Sequence, residues 1–255
     1  MIAMFNPLAS IAGVHSLSSG SSGDKQEVLI AAAADLKFAM DSVVQAFSAA
    51  NPDVSIKVVY GSSGNFFQQI GNGAPFDLFF SADVDYPKQL QEKGLAASAV
   101  RIYGSGQLVL WSLKFNPAVR QMNSLLDPAV RKVAIANPVH APYGRRAEES
   151  LRYYQLYDKI KDKLVFGENI GQTAEYARSG AADAAIVALS LALSPEMQRS
   201  GGRYWLIPAA AHQPLEQAFI LLPHGRDSMA AHEFMNFLST SEARAILKSF
   251  GFSRP

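Results

Sequence analysis

Four short loops carry residues that could bind an anion, and each stands where a strand-like run gives way to a helical pattern. Asp35 follows an apolar run, Ser63 lies in a Gly-Ser-Ser-Gly turn, and Tyr143 and Ile170 each precede a helix. At a helix start, unpaired backbone N–H groups and the positive end of the helix dipole together favour negative charge. The small Ala34 beside Asp35 would let a ligand approach the backbone closely. Each loop could therefore contribute to an anion site, but each alone is weak evidence, since most strand–helix junctions bind nothing.

A hydrolase would need different chemistry from the same loops. Ser63 could serve as a nucleophile with His140 as its base, although lone histidines in turns are more often plain hydrogen-bonding groups. The chain has no G-x-S-x-G elbow, no H-E-x-x-H pair and no cysteine. Asp77, Asp83 and Asp85 could suggest a metal site, but their positions favour helix capping and turn formation. We therefore expect a binding protein and not an enzyme, with no directly bound metal and no cofactor.

Composition sets broad limits on the function. The 255 residues are 49% hydrophobic and 18% charged, which provides enough apolar material for a substantial core. A net charge of +1 gives no support to nucleic-acid binding. The sequence has no run of 18 apolar residues that would predict a membrane-spanning helix. Residues 1–25 combine a mildly apolar start with a Ser-Gly-rich stretch, which indicates either a signal remnant or a disordered tail.

The elements that must position the four loops alternate between strand and helix along the chain. In the first part, the pattern predicts strands at 28–33, 54–60 and 77–81 and helices at 36–50, 66–70 and 83–93. From about residue 104 a second unit begins, with strands at 107–111, 132–136, 164–166 and 184–187 and helices at 145–157 and 173–179. A strand at 217–222 and helices at 228–238 and up to about 250 close the chain. This alternation predicts α/β units with parallel strands and right-handed crossovers.

The order of the motifs is more specific than any one of them. Four motifs follow one another along residues 31–144: Ala-Ala-Ala-Ala-Asp-Leu-Lys-Phe-Ala-Met, Tyr-Gly-Ser-Ser-Gly, Gly-Ala-Pro-Phe-Asp-Leu-Phe-Phe-Ser-Ala-Asp and Asn-Pro-Val-His-Ala-Pro-Tyr-Gly. In this order they resemble the periplasmic molybdate-binding proteins of ABC importers, from about residue 27 to about residue 252. The resemblance implies a two-lobed type II periplasmic binding protein of the α/β class. Each lobe would be a mostly parallel sheet flanked by helices, with the ligand in the interlobe cleft.

The resemblance also implies a binding site. Molybdate or tungstate would be held by neutral hydrogen-bond donors at the Ala34–Asp35 junction, at Ser63, at Tyr143 and at Ile170. The backbone N–H would be the chief donor at Tyr143 and Ile170. Discrimination between oxyanions would depend on the size of the cavity and the geometry of its donors, because a smaller ion leaves some donors unpaired.

The partners and the division of the chain follow from the same resemblance. We expect a periplasmic or extracytoplasmic monomer that delivers a small oxyanion to the permease of an ABC importer. Lobe I would comprise residues 26–106 plus 215–255, and lobe II would comprise residues 107–214. No nucleic acid is expected as a partner.

Two positions depart from the family's pattern. Many members have a hydroxyl or amide residue where this chain has Asp35, and a carboxylate about 4 Å from one unit negative charge costs about 4 kcal/mol at an effective dielectric of about 20. Asp35 must therefore turn away to cap the first helix, carry a proton or be compensated by Lys37. Some members place a tyrosine hydroxyl where this chain has Ala188, so one donor is lost unless Tyr143 or water replaces it. Two alternatives stay open: the same fold with another small oxyanion or an organic anion, and a serine hydrolase that uses Ser63.

Overall fold

The computed structural model describes residues 26–253, so the predicted signal remnant or tail at 1–25 lies outside the described residues. Within this part the strands are, in chain order, β1 (Gln26–Ala33), β2 (Val54–Gly61), β3 (Leu78–Ser81), β4 (Arg101–Gly106), β5 (Leu108–Ser112), β6 (Val133–Ala136), β7 (Leu164–Gly167), β8 (Ala184–Ala188), β9 (Arg203–Leu206) and β10 (Leu215–Leu221). The α-helices are α1 (Lys37–Ala50), α2 (Ser63–Gly71), α3 (Asp85–Glu92), α4 (Pro117–Arg120), α5 (Pro142–Tyr153), α6 (Tyr157–Ile160), α7 (Ile170–Arg178), α8 (Leu189–Ala192), α9 (Pro195–Arg199), α10 (Met229–Phe237) and α11 (Ser241–Ser249). Every helix among residues 26–253 is too short or too polar to span a membrane.

The strands form two five-stranded sheets, in the orders β2-β1-β3-β10-β4 and β7-β6-β8-β5-β9. In the first sheet β10 is antiparallel to both of its neighbours, and the other four strands are parallel to one another. In the second sheet β5 is the one antiparallel strand, and the other four again share one direction. We call each sheet with the helices that pack on it a lobe. These two mostly parallel sheets confirm the predicted fold class. The chain crosses between the sheets after β4 and again after β9, while the exact division into residues 26–106 plus 215–255 and 107–214 stays a prediction.

Helices cover both faces of the first sheet and hold its strand ends in place. On one face Ile30 belongs to a cluster in which Phe47 of α1 packs edge-on against Phe234 of α10, with ring centroids 5.2 Å apart. On the other face Ala31 and Phe79 pack with residues of α2 and α3. Burial of a large apolar side chain stabilises the fold by about 2 kcal/mol. Because β1 is buried on both faces, its carboxyl end is a rigid support for the turn that follows.

Three helices begin earlier than the hydrophobic pattern predicted, and the shift places loop residues inside their first turns. α2 begins at Ser63, α5 at Pro142 and α7 at Ile170, instead of at 66, 145 and 173. The side chains of Ser62 and Asn169 accept hydrogen bonds from backbone N–H groups three residues further on, and proline is favoured at a first helical position. The predicted helix starts depended on the spacing of apolar residues. Capping side chains and proline do not contribute to that spacing, so the first turns were not predicted.

Other differences also have local causes. β4 contains Gly104 and Gly106, which weaken a strand pattern, and β9 is an edge strand of only four residues. Neither strand was predicted, and nor were the four- and five-residue helices α4, α6, α8 and α9. α5 ends at Tyr153, four residues earlier than expected, and Gln155 just beyond it has a φ of 55°. A residue in this left-handed region ends a helix.

Candidate functional site

Helix starts from both lobes meet around one small cavity, which has about 10 Å³ of open space. It lies at the carboxyl ends of β1, β2 and β3 on the first sheet and of β6 and β7 on the second. The cavity is lined by Ala33, Ala34, Asp35, Gly61, Ser62, Ser63, Ala82, Ala141, Pro142, Tyr143 and Ile170. All five residues that the sequence analysis selected for the site, Ala34, Asp35, Ser63, Tyr143 and Ile170, are therefore brought together. The lining contains no lysine, arginine or histidine.

On the first lobe, two strand ends supply hydrogen-bond donors. β1 leads through Ala33 into a single 3₁₀ turn, Ala34–Leu36, and the first N–H groups of such a turn have no acceptor within it. Ser63 is the first residue of α2 and is fully buried. Its Oγ accepts a hydrogen bond from the N–H of Ala82 at 3.0 Å, which leaves the hydroxyl proton available to a ligand.

On the second lobe, the donors are backbone N–H groups at two helix starts. Tyr143 is the second residue of α5, and Ile170 is the first residue of α7. Helix geometry leaves the N–H groups at these positions without an intrahelical acceptor, and no other backbone carbonyl of residues 26–253 accepts from them. These donors carry the partial positive charge of the helix dipoles but no formal charge.

The carboxyl group of Asp35 does not cap α1, which was one expectation from the sequence. Its Oδ2 instead accepts hydrogen bonds from Oη of Tyr143 at 3.0 Å and from Nε2 of Gln217 at 2.7 Å. Lys37 does not compensate Asp35, because its Nζ pairs with Asp41 at 2.9 Å. The other oxygen, Oδ1, is buried and has no hydrogen-bond partner among the described residues.

Burial governs the ionisation of this cluster. Loss of water raises the pKa of Asp35 from its ordinary value of 3.8 to about 6. It outweighs the hydrogen bonds from Gln217 and Tyr143 and the smaller effect of the backbone N–H groups of Asp35 and Leu36, all of which favour the charged form. Burial also raises the pKa of Tyr143 and of Tyr103 well above 10, and the negative charge of Asp35 acts in the same direction. Both phenols are therefore neutral hydrogen-bond donors at neutral pH.

The polar residues behind Asp35 were not among the predicted site residues. Gln217 is fully buried in β10, and its Oε1 accepts a hydrogen bond from Oη of Tyr103 at 2.5 Å. Gly106, where the chain leaves the first sheet, lies so close that a Cβ there would be 2.1 Å from Oη of Tyr143. A glutamine inside the apolar run 215–222 was the signal that could have revealed this network, because buried polar side chains are nearly always hydrogen-bonded.

Ala188 gives no donor to the cavity. It ends β8, is fully buried and is absent from the residues that line the cavity. The phenol of Tyr143 does not replace the missing hydroxyl, because it donates its proton to Asp35. At this position the chain therefore lacks the tyrosine hydroxyl that is expected in some members of the family.

Direct hydrogen bonds join the two lobes beside the cavity. The N–H of Gly64 donates to the carbonyl of His140 at 2.9 Å, and Oγ of Ser62 lies 3.0 Å from Nδ1 of His140. His140 thus contacts Ser62 and not Ser63, so the Ser63–His140 pair that a hydrolase would need is not formed. These contacts hold the lobes in a closed arrangement.

An ion pair also crosses the cleft. Nη2 of Arg145 on α5 lies 2.7 Å from Oδ2 of Asp83, which precedes α3. The other oxygen of Asp83 accepts from the N–H of Asp85 at 3.0 Å, as expected of a turn-forming residue. Oδ2 of Asp77 accepts a hydrogen bond from the N–H of Leu29, elsewhere in the first lobe. Residues 26–253 contain no group of three or more histidine, aspartate or glutamate side chains that could hold a metal ion.

A larger groove lies elsewhere on the first lobe. It runs between β4 and α11 and is lined in part by Arg101, Arg244 and Lys248. It shares no residue with the cavity at the strand ends and contains none of the buried donors described above. We therefore place the candidate site in the smaller cavity, where both lobes contribute donors.

Three comparisons relate the chain to known proteins. The family model for bacterial extracellular solute-binding proteins matches residues 28–253. The molybdate-binding protein ModA of Rhodobacter capsulatus is 37% identical over 200 residues, which are 78% of this chain and 77% of that protein. ModA of Azotobacter vinelandii is 34% identical over 89% of each chain. The solved structure of the periplasmic molybdate-binding protein of Azotobacter vinelandii superposes with a TM-score of 0.81 at 30% identity and covers 89% of this chain and 99% of its own.

Proposed function

This chain belongs to the family of bacterial extracellular solute-binding proteins, and we propose that it binds molybdate or tungstate in its cleft for delivery to an ABC importer. The ligand-binding residues in this proposal are Ala34, Asp35, Ser63, Tyr143 and Ile170. The relatives named as molybdate-binding proteins supply the identity of the oxyanion, and the geometry of the cleft supplies a way to hold it.

The observation that carries the proposal is the convergence of uncharged donors from both lobes. The hydroxyl of Ser63 and the N–H groups of Tyr143 and Ile170 border one cavity whose lining has no cationic side chain. A doubly charged tetrahedral oxyanion offers acceptors in several directions, and buried donors that stay unpaired cost about 1–3 kcal/mol each. An ion that reaches all the donors at once therefore binds more tightly than one that reaches only some.

The size of the cavity favours a small inorganic ion over an organic anion. Pockets for organic ligands commonly have volumes of about 300–1,000 Å³, whereas the cavity in this closed arrangement has only about 10 Å³ of open space. Sulfate is smaller than molybdate, so it would leave part of the donor set unpaired. Size and donor geometry together support the metal oxyanions as ligands.

The route of the ligand follows from the family. Proteins of this class act outside the cytoplasmic membrane, and the periplasm is the compartment of the molybdate-binding relative whose structure is similar. Closure of the lobes on the anion would present a surface made by both lobes to the permease. The protein would act as a monomer, and its cargo would be released chemically unchanged. Molybdate is therefore a transported ligand here and neither a resident cofactor nor a substrate for catalysis.

Thermal unfolding with a panel of anions tests the proposal. Molybdate and tungstate should raise the unfolding midpoint strongly at concentrations far above their dissociation constants, because a ligand of the folded state stabilises by RT ln(1 + [L]/Kd). Sulfate and phosphate should raise it little or not at all. A shift with sulfate, phosphate or an organic anion alone would support the alternative ligands instead. Ester or phosphoester turnover that is lost in Ser63→Ala would support a hydrolase.

A further inference from the structure

The carboxyl group of Asp35 has one oxygen fully engaged and one oxygen without a partner. Oδ2 accepts from Tyr143 and Gln217, whereas Oδ1 has no partner among the described residues. The residue is 1% exposed and lines the cavity. A buried polar atom in such a place needs a partner from outside the protein, since buried polar groups are rarely left unpaired. If the acid is neutral, its proton belongs on Oδ1 and requires an acceptor.

We propose that Asp35 is the residue that adapts this cleft to its anion, as a neutral acid whose Oδ1–H donates a hydrogen bond to the bound oxyanion. The inference rests on the proposed function and deepens it. Each anion is then bound together with one proton from solvent. The proton stays on Oδ1, and no bond within the anion forms or breaks. A residue that would repel a dianion becomes one of its donors.

The surroundings of Asp35 offer no positive charge that would keep the carboxylate ionised beside a dianion. Tyr103 on β4 and Tyr143 on α5 are neutral phenols, and Gln217 on β10 is an amide. Lys37 on α1 pairs with an aspartate of its own helix. Burial already raises the pKa of Asp35 to about 6, and a negative ion close by raises it further.

The basic side chains near the cleft have other partners than Asp35. On the loop before α5, His140 contacts Ser62 through Nδ1. Arg145 and Arg146 of α5 both lie within 4.0 Å of Asp83 on the opposite lobe. None of these three side chains is in the lining of the cavity. Protonation of Asp35 is therefore the change that removes negative charge from the lining.

This arrangement adds a chemical criterion to the geometric one. A more basic oxyanion accepts a hydrogen bond from a carboxylic acid more readily, and molybdate is more basic than sulfate. The arrangement also couples binding to pH. Well above the pKa of Asp35 in the free protein, the observed dissociation constant should rise about tenfold for each pH unit. Binding then requires the uptake of a proton, and the proton concentration falls tenfold for each pH unit.

Isothermal titration calorimetry with sodium molybdate, in buffers that differ in ionisation enthalpy, measures the protons taken up on binding. The wild-type protein should take up about one proton per anion at about pH 8 and almost none at about pH 5. Asp35→Asn keeps an acceptor for Tyr143 and Gln217 and offers an N–H where the acid has its O–H. This variant should bind molybdate with no proton uptake and with an affinity that does not change over the alkaline range. Asp53→Asn, an exposed change before β2, should behave as the wild type does.

The outcomes separate the inference from the function on which it depends. Molybdate binding by the wild type without proton uptake overturns the inference and leaves the proposed function intact. Equal proton uptake by the wild type and Asp35→Asn assigns the proton to another group and also overturns it. If neither protein binds molybdate or tungstate at any pH, the proposed function fails and the inference fails with it. Should Asp35→Asn not fold, Asp35→Ser, which keeps a hydroxyl donor and has no carboxyl group, takes its place in the comparison.

Discussion

Oη of Tyr143 donates a hydrogen bond to Oδ2 of Asp35 at 3.0 Å, and this bond joins the first turn of α5 on one lobe to the end of β1 on the other. Both residues line the cavity. The phenol therefore has two roles, because it holds the carboxyl group in position and links the lobes. The carbonyl of Asp35 adds a second link, since it accepts from Oγ of Ser190 at 2.8 Å.

The stability of the ligand-free protein should depend on pH through Asp35. Between the ordinary pKa of 3.8 and the folded value of about 6, the folded protein holds a proton that the unfolded chain has released. The free energy of unfolding therefore falls as pH rises through this interval, by about 3 kcal/mol in total. Asp35→Asn lacks this contribution, so its stability relative to wild type should increase from about pH 4 to about pH 7. Chemical denaturation of both proteins across this interval measures the difference, and a constant difference would contradict the raised pKa.

Tyr143→Phe should weaken molybdate binding while the fold is kept. The ring stays packed in the buried core of the second lobe, but the hydrogen bond to Asp35 is lost. We expect about tenfold lower affinity, in line with about 1.4 kcal/mol for a buried hydrogen bond whose partner keeps another donor. Tyr153→Phe is the matched control, because Tyr153 is 59% exposed. Unchanged calorimetric affinity in Tyr143→Phe would refute a contribution of the phenol to closure.

Gly64→Ala should hinder closure of the lobes while the first lobe still folds. A Cβ at this position would lie 2.6 Å from the carbonyl oxygen of His140 on the opposite lobe. Within the first lobe the same Cβ would lie 2.9 Å from Oη of Tyr86, which is the far end of a flexible side chain and can shift. Alanine is otherwise the better residue inside α2, so the stability of the ligand-free protein should change little once its lobes move apart at this contact. Molybdate affinity should fall by about tenfold or more because the steric overlap opposes closure. Gly71→Ala in the same helix meets nothing within 4 Å and should bind normally.

Small-angle X-ray scattering gives the second readout for these glycine variants. Saturating molybdate should reduce the radius of gyration less in Gly64→Ala than in Gly71→Ala. Equal compaction and equal affinity in the two variants would show that the close contact between Gly64 and His140 does not limit closure.

Arg145→Gln should speed release of the anion. The guanidinium pairs with Asp83 across the cleft, but it is 37% exposed, so the pair contributes about 1 kcal/mol. We expect release about fivefold faster, with a smaller difference at high salt because ions screen an exposed pair. Lys88→Gln is a control in which an exposed pair within α3 is broken instead. Stopped-flow release of molybdate compares the two, and equal rates would exclude a role of the ion pair in holding the lobes together.

The parts of the fold with strong apolar patterns were predictable from the sequence, and the polar contacts between distant residues were not. The apolar run ending at Ala33 and the stripe of α1 identified β1 and the helix after it. The four loops proved to line one cavity because parallel strands bring their carboxyl ends to one edge. Gln217 escaped notice because its partner Asp35 is 182 residues away, and no local pattern reports such a pairing.

The side chain of Asp35 shows why local rules reach their limit at such a site. An aspartate at a strand–helix junction predicts a cap, since its carboxylate can accept from the first N–H groups of a helix. Here Tyr143 and Gln217 come from other elements and turn the carboxyl group away from α1. The tertiary contacts outweigh the cap, and they leave Oδ1 unpaired in the lining.

A crystal of the wild-type protein grown with molybdate, measured at a wavelength near the molybdenum absorption edge, tests the central claim most directly. The anomalous signal should give one molybdenum atom in the cavity between the lobes. Its oxygens should lie within hydrogen-bond distance of the hydroxyl of Ser63, the N–H groups of Tyr143 and Ile170, and Oδ1 of Asp35. A molybdenum position outside this cavity, or no anomalous signal from crystals grown with saturating molybdate, would contradict the account.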